Sequence, residues 1–334
     1  MVGFGTVGKS FLEISKEKTD WLRVHHGLTP EVVAIVDRGG AMINQSGIRL
    51  EEALEARKLG GTVAHHDTMG RRQVSALSVI DSVEADVLLE LTPTRMPDAE
   101  PALMHVESAF KKGLHVVTTN KGPLAVAMPA LLELAQYQGV HLRFSGTVGG
   151  GTPILDFAKN CLAGDRIQSI EGILNGTTNY ILTQMFDQGI TLNEALTEAQ
   201  KAGYAEADPS YDVEGLDTAS KLVIMCNWIL GRRVSIRDVD IEGISDVTVH
   251  EVEKAKNAGK TIKLVGSANE SHVSVSPRAL AVENPLAVKG TLNGVTFTTE
   301  LGGDITLIGH GAGGRETASA VMRDLVEIKK TLLK

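Results

Sequence analysis

The sequence predicts an α/β protein: a doubly wound parallel sheet followed by a second, α+β domain. Three observations carry this reading. Four short apolar runs alternate with helical stretches: EVVAIVD from Glu31, ADVLLELTP from Ala85, GLHVVTTNK from Gly113 and GVHLRFSGT from Gly139. Continuous apolar strands alternating with helices imply a parallel sheet covered on both faces. A G-x-G-x-x-G stands at Gly3, Gly5 and Gly8, ahead of the series. From about Thr152 the alternation stops, and KTIKLVGSA (from Lys260) and SHVSVSPRAL (from Ser271) read as antiparallel strands with one solvated face.

Taken in order, GFGTVG (Gly3–Gly8) reads as the turn into the first helix. Gly5 lets a backbone approach a pyrophosphate, and Gly8 lets the helix pack close to the strand. Free N–H groups and the dipole at that helix start favour an anion. Only Met1 and Val2 stand before the motif, fewer than the ~5–6 residues of a typical strand. The natural protein is therefore expected to begin upstream of Met1. The next strand ends at Asp37, and DAEPALMHVESAFKKG (from Asp98) has helical periodicity. LTPTR and TTNKGP fall at carboxyl ends of strands, where such sheets hold ligands. A helix is predicted at TPILDFAKN, with Pro153 in its first turn. GHGAGGRETASAVMRDLVEIKK reads as a glycine turn feeding an amphipathic helix that returns to the first domain. The expected division is residues 1–140, completed by 305–334, and residues 141–304.

Composition narrows the function classes. A net charge of −8 argues against nucleic acid or an anionic membrane as partner. Aromatic residues are only 4%, which leaves few platforms for stacking bases. No apolar run approaches the ~20 residues of a membrane span. The chain opens on a glycine turn, not a signal peptide. Cys161 and Cys226 both lie in apolar helical patterns, so reduced thiols in the cytoplasm are expected.

Several motifs carry chemistry. Asp37 is placed to hold the hydroxyls of an adenosine ribose, which selects NAD, while Arg38 beside it could hold a 2′-phosphate, which selects NADP. Arg57 and Lys58 could add charge to the same pocket. The preference between the cofactors stays open. Lys121 stands at the carboxyl edge of the sheet, where it is either a ligand for a substrate oxygen or a loop lysine in water. SGTVGGGTP (from Ser145) reads as a cradle or a hinge, and NGTTNYIL (from Asn175) as a carboxylate-binding helix start or a simple cap. GYAEADPSYDVEGLDTASKLVIM (from Gly203) is the richest stretch. Asp217 and Lys221 share one face of a helix that is apolar on most of its circumference. A buried lysine costs several kcal/mol unless paired, and its proton affinity is then open to tuning. Proton transfer requires such a group.

The ordered set GFGTVG, LTPT, TTNKGP, TVGGGTP, NGTTNYIL, GYAEADPSYDVEGLDTASK and GHGAGGRETASAV resembles homoserine dehydrogenase along nearly the whole chain. The resemblance implies a Rossmann-type first domain, a substrate-binding and dimerisation domain, and reversible NAD(P)-dependent oxidation of L-homoserine to L-aspartate 4-semialdehyde. By resemblance, Lys221 is the acid/base, Asp217 orients it, and Lys121 contacts the reacting oxygen. Glu206 takes the substrate's ammonium, and Gly176, Thr177, Tyr204 and Asp212 line the amino-acid pocket. The cofactor set is Gly3, Phe4, Gly5, Thr6, Val7, Gly8, Asp37, Arg38, Thr92, Pro93, Asn120, Lys121 and Gly311. The family also binds Na⁺. Its carbonyl ligands would map to Val148, Gly150 and Thr152, but its glutamate falls at Ser145, a neutral hydroxyl. The partners implied are an amino-acid substrate and a second copy in a homodimer. The chain stops at Lys334, so regulation through a C-terminal domain is not expected.

Two other readings compete. A phosphorylating aldehyde dehydrogenase needs a cysteine nucleophile with a histidine base, and neither cysteine has a histidine close in sequence. A silent NAD(P)-binding sensor or scaffold has no need of Lys121, Glu206, Asp217 and Lys221 together.

Overall fold

The computed structural model describes residues 1–332, which form two compact units. One comprises residues 1–147 with the C-terminal segment from Gly313, and the other residues 148–312.

The first unit holds β1 (Ala34–Asp37), β2 (Gly40–Ile43), β3 (Gly70–Arg72), β4 (Val87–Glu90), β5 (His115–Thr118) and β6 (Leu142–Arg143). β4, β5 and β6 are parallel neighbours, as the apolar runs predict. β1 departs from the purely parallel expectation. It pairs antiparallel with β2, which pairs antiparallel with β3. The tight turn between β1 and β2 needs Gly40 at φ +138°, where a Cβ would lie 2.2 Å from the Arg71 carbonyl oxygen. The hairpin escaped the sequence reading because GGAMI has no alternation.

The centre of the sheet is one residue wide. Val2 bridges in parallel to Val36 on one side and Glu90 on the other. Its N–H donates to the Leu89 carbonyl at 2.8 Å, and its carbonyl accepts from Leu91 N at 2.8 Å. Gly3 N to Val36 O (2.9 Å) and Val36 N to Met1 O (2.9 Å) complete the bridge to β1. A cavity of about 360 Å³, lined by Val2, Pro30, Val79, Val83, Leu114 and Leu325 among others, opens beside the amino ends of these strands.

Two clusters form the core of this unit. Phe11, Ile14, Leu89, Leu91 and Val117 pack with Ala318, Val321, Met322 and Leu325 of the Gly314–Leu332 helix. Phe4, Leu12, Ile35, Met42, Ala53 and Val63 make the second. Each large side chain buried this way contributes about 1.5–3 kcal/mol.

The second unit is built on a six-stranded sheet: β7 (Ile167–Ile173), β8 (Asp240–Ile241), β9 (Lys260–Asn269), β10 (Val273–Ala281), β11 (Leu292–Thr299) and β12 (Gly303–His310). The spatial order is β12-β11-β7-β9-β10-β8. All neighbours are antiparallel except β8 and β10. The Leu216–Trp228 helix crosses β9 where Gly266 leaves room for Thr218 and Leu222. The helix predicted at TPILDFAKN is a short turn, Ile154–Asp156, widening into a π-helical turn over Phe157–Cys161. Among the described residues no helix is long and apolar enough to cross a membrane.

Candidate functional site

The candidate residues fall into two groups, one in each unit. In the first unit the glycine turn is shaped as its spacing requires. Gly3 has φ +102°, and a Cβ there would meet the Leu91 carbonyl at 2.7 Å. A Cβ on Gly8 would lie 2.6 Å from the Gly3 carbonyl oxygen. Gly5 has nothing within 4 Å of its Cβ position, so its face is open to a ligand. Gly5 is also the N-cap of the Thr6–Glu17 helix and offers no capping side chain. The N–H groups of Thr6, Val7 and Gly8 thus stand at a helix start open to an anion. Arg57 donates to the Phe4 carbonyl, and its guanidinium lies 5.9 Å from the Phe4 ring centroid.

Asp37 ends β1 but is not idle. It accepts from Gly39 N (2.9 Å), Val63 N (2.9 Å) and the Thr62 hydroxyl. About four lone-pair sites serve a carboxylate, so the loop after β1 already engages most of them. Arg38 is exposed.

Thr92, Pro93, Asn120 and Lys121 meet at the carboxyl ends of β4 and β5. Asn120 Nδ2 donates to Thr92 Oγ1 and to the Pro93 carbonyl, each at 3.1 Å. Its Oδ1 caps the following helix at Gly122 N (3.0 Å). Lys121 is the first residue of that helix, Lys121–Tyr137, with its N–H on Thr94 Oγ1 at 3.2 Å. It is therefore a helix-start residue rather than a loop lysine. Behind this loop lies a pair the motif reading missed. Glu90, fully buried, accepts from Thr92 N and is 2.9 Å from it.

In the second unit, Leu174 and Asn175 form a hub. The Leu174 carbonyl accepts from Lys221 Nζ at 2.6 Å and from Asn293 Nδ2 at 2.8 Å. Asn175 caps the Gly176–Gln188 helix by accepting from Thr178 N at 2.8 Å. Its Nδ2 donates to Asp212 Oδ1 (2.6 Å) and Asp217 Oδ2 (2.8 Å). Lys221 Nζ meets the same Asp217 oxygen at 2.6 Å. Lys221 and Asp217 are only 8% and 5% exposed, so this is a buried pair and not a surface one. Burial, reinforced by the charge of Asp217, raises the Asp212 carboxyl above its ordinary range.

Of the two readings of the NGTTNYIL turn, the cap is observed, supplied by Asn175. Gly176 abuts Thr291, where a Cβ would lie 2.9 Å from the carbonyl oxygen. Thr177 Oγ1 donates to the Tyr204 carbonyl at 2.7 Å, and the Tyr204 ring is half exposed. Glu206 is exposed on the loop after Gly203, and its carbonyl accepts from Gln200 Nε2 at 3.1 Å. Gly311 packs on Asn293, whose amide occupies the place a Cβ would take. Asn293 Oδ1 is buried without a partner. Nothing in the motif spacing pointed to Asn293.

The cation residues do not make a charged site. Ser145 N and Oγ both donate to fully buried Asp324, at 2.9 and 2.6 Å. In the second unit, the Thr152 carbonyl accepts from Ile154 N at 2.8 Å. Gly149 and Gly150 have φ +82° and +54°, the left-handed backbone that favours glycine. Val148, Gly150 and Thr152 offer carbonyls alone. No group of three His, Cys, Asp or Glu suited to a metal occurs among the described residues.

The thiols are also separated by environment. Cys161 is exposed, whereas Cys226 is buried in the Leu216–Trp228 helix and its thiol is pushed up to about 11. Thiolate is the reactive form. Iodoacetamide at pH 8 is expected to modify Cys161 and spare Cys226, with turnover unchanged. Peptide mass mapping with a rate assay checks this. Loss of activity in proportion to cysteine labelling would contradict a lysine-based reaction.

Residues 153–326 match the homoserine dehydrogenase family model, and residues 3–145 match that of the homoserine dehydrogenase NAD binding domain. A homoserine dehydrogenase of Methanocaldococcus jannaschii is 44% identical over 328 residues, 98% of this chain and 97% of the relative. An NAD(+)-dependent homoserine dehydrogenase of Pseudomonas canavaninivorans is 37% identical over 340 residues, 99% of this chain and 96% of the relative. A solved hyperthermophilic archaeal homoserine dehydrogenase in complex with NADPH superposes with a TM-score of 0.86 at 31% identity, covering 99% of this chain and 96% of that one.

Proposed function

Because the chain belongs to the homoserine dehydrogenase family, we propose that it interconverts L-homoserine and L-aspartate 4-semialdehyde with NAD(P), in the biosynthesis of threonine, methionine and isoleucine. The observation that carries this reading is the buried Lys221–Asp217 pair, held on the Leu174–Asn175 hub. When bound, the oxidised nicotinamide accepts a hydride from the alcohol carbon.

The chain's own residues do the rest. Lys221 Nζ takes the hydroxyl proton as the hydride leaves, and returns it in the reverse direction. Asp217 and the Leu174 carbonyl take two of the lysine's N–H groups and aim its third position at the substrate oxygen, a lone pair of the neutral amine when it takes the proton and an N–H when it returns it. Lys121 adds a second cation for the charge that grows on that oxygen. Glu206 takes the substrate's ammonium, Tyr204 and Asp212 line the rest of the pocket, and the Gly176–Thr177 amides take the carboxylate. Thr92, Pro93 and Asn120 are assigned to the nicotinamide half of the cofactor, and Gly311 is assigned to the cofactor by the family resemblance. Gly3, Phe4, Gly5, Thr6, Val7 and Gly8 hold the pyrophosphate. Asp37 and Arg38 stand at the adenosine end.

A monovalent cation would have only the carbonyls of Val148, Gly150 and Thr152, and no step is assigned to it. The homodimer reading is supported by the sheet of the second unit. Half-buried Glu171, Arg278, Thr296 and Thr306 share one face there, with Arg278 on Glu171 at 2.6 Å and the two threonine hydroxyls 2.8 Å apart. The expected location is the cytoplasm.

Initial rates with L-homoserine and NAD or NADP are expected to show reduction of at least one cofactor and formation of a semialdehyde in equal amount. Absence of turnover with both would refute the assignment.

A further inference from the structure

The family's reaction does not explain why a carboxylate is buried at the end of β4. Its neighbours in the strand are Val87, Leu88 and Leu89, and a fourth apolar residue would pack there without a charge or polar group to satisfy. Glu90 is 0% exposed, and His105, on the Ala102–Lys111 helix, is 4% exposed. Burying such a pair is weak evidence for stability, because desolvation offsets most of the attraction. What it gains is a fixed geometry.

The geometry leads to one place. His105 Nδ1 is hydrogen-bonded to Glu90 Oε2 at 2.7 Å. Glu90 Oε1 takes both donors of Thr92, the N–H at 2.9 Å and the hydroxyl. The Glu90 carbonyl takes Thr118 Oγ1 and Thr119 N, each at 3.1 Å. Thr92 Oγ1 in turn accepts from Asn120, whose other end caps the helix that begins with Lys121. Thr94 Oγ1 accepts from Lys121 N at 3.2 Å. One buried carboxylate thus ties together the two strand ends that carry Thr92, Asn120 and Lys121.

We propose that the Glu90–His105 pair is the positioning device of the nicotinamide half-site, with His105 locking the Glu90 carboxylate so that Thr92 and Asn120 present one fixed edge to the ring. This rests on the reading of these loops as the cofactor site. Among the described residues the side-chain hydrogen bond of His105 goes to Glu90, so its effect on the cofactor is expected to pass through Glu90.

The test uses the full chain, with NADH and NADPH each titrated by fluorescence. His105→Leu removes the donor to Glu90. It is expected to raise the Kd of whichever nucleotide the wild type binds by about tenfold, while the KM for homoserine at saturating cofactor stays within about twofold. His105→Asn keeps a donor near the Nδ1 position and is expected to recover most of the affinity. Thr92→Val leaves the His105–Glu90 hydrogen bond in place but removes the hydroxyl that joins Glu90 to Asn120, and is expected to weaken nucleotide binding alike. If the leucine variant does not fold, His105→Gln, which misplaces the donor without emptying the site, takes its place with the same expected rise in Kd. Unchanged Kd in both His105→Leu and Thr92→Val would overturn the proposal. So would a parallel rise of both constants with a lowered melting temperature in the leucine and asparagine variants alike, since that marks a purely structural role. Failure of the wild type to oxidise homoserine would instead overturn the functional reading, and the nucleotide titration would still decide this one.

Discussion

Replacing Lys221 with methionine is expected to lower kcat for homoserine oxidation by roughly 10²–10⁴-fold, the usual worth of a positioned acid/base. The side chain keeps its length but loses the group that takes the hydroxyl proton. Two consequences separate chemistry from damage. Lys221 lies in the second unit, and the glycine turn, Thr92 and Asn120 lie in the first, so nucleotide binding should change little. The variant should also melt at a lower temperature, because Asp217 loses its cation while remaining 5% exposed. Breaking a buried pair in this way costs about 3–5 kcal/mol. Lys221→Arg supplies the second comparison. An arginine retains the charge but does not release its proton in the working range. It should restore much of the melting temperature and almost none of the turnover. Steady-state kinetics, nucleotide fluorescence and thermal melts on the same preparations give the three readouts. A methionine variant with wild-type kcat would end the lysine mechanism.

The second large effect concerns stability and lies away from the proposed chemistry. Lys263 in β9 is 1% exposed, and its ammonium meets only neutral acceptors, Asn179 Oδ1 at 2.7 Å and Thr183 Oγ1 at 3.2 Å. Burial lowers its pKa from 10.5 to about 8, with Asp187 opposing the shift and Lys289 adding to it. In the unfolded chain the same lysine titrates at its ordinary value. Between pH 8 and 10.5 the unfolded state therefore binds more protons, and stability rises with pH across that window. The rise attributable to this side chain is about 3 kcal/mol. Lys263→Met has no such titration. The difference in unfolding free energy between wild type and variant is expected to move in favour of the wild type by that amount as pH climbs. Urea unfolding at pH 7.5, 9 and 10.5 measures it. A constant difference across the series would show that Lys263 is not strained by burial.

Most of the first unit was legible because its signals are local. β4 and β5 lie in apolar runs, β6 in an alternating one, and Gly3 and Gly8 each have a steric cause, while Gly5 leaves its face open. The antiparallel strands β2 and β3 were not legible. They are four and three residues long, with Gly40 and Gly70 at their starts, so no period of two can develop. In the second unit the pairing of Asp217 with Lys221 follows from a four-residue spacing, and the structure adds burial. The hub beneath them could not be read. Leu174 acts through a main-chain carbonyl, which leaves no trace in residue type. Asn293 arrives from 119 residues away. The Glu90–His105 pair was hidden for a similar reason, since an acid ending a strand and a histidine in an amphipathic helix each look ordinary until folding joins them.

The path of the chain through the two units has a consequence for synthesis. The second unit is an insertion, entered after Thr147 and left at Gly313. Phe11 and Ile14 are synthesised before the inserted unit, and their partners Val321, Met322 and Leu325 only after it. Domains commonly fold in order as they emerge, but here that order is inverted. The inserted unit has all its strands in hand while the unit that holds the amino terminus still lacks a wall of its core. Until the closing helix appears, the nascent glycine turn and its strand bridge wait with apolar surface exposed, the condition that makes a folding intermediate prone to aggregate.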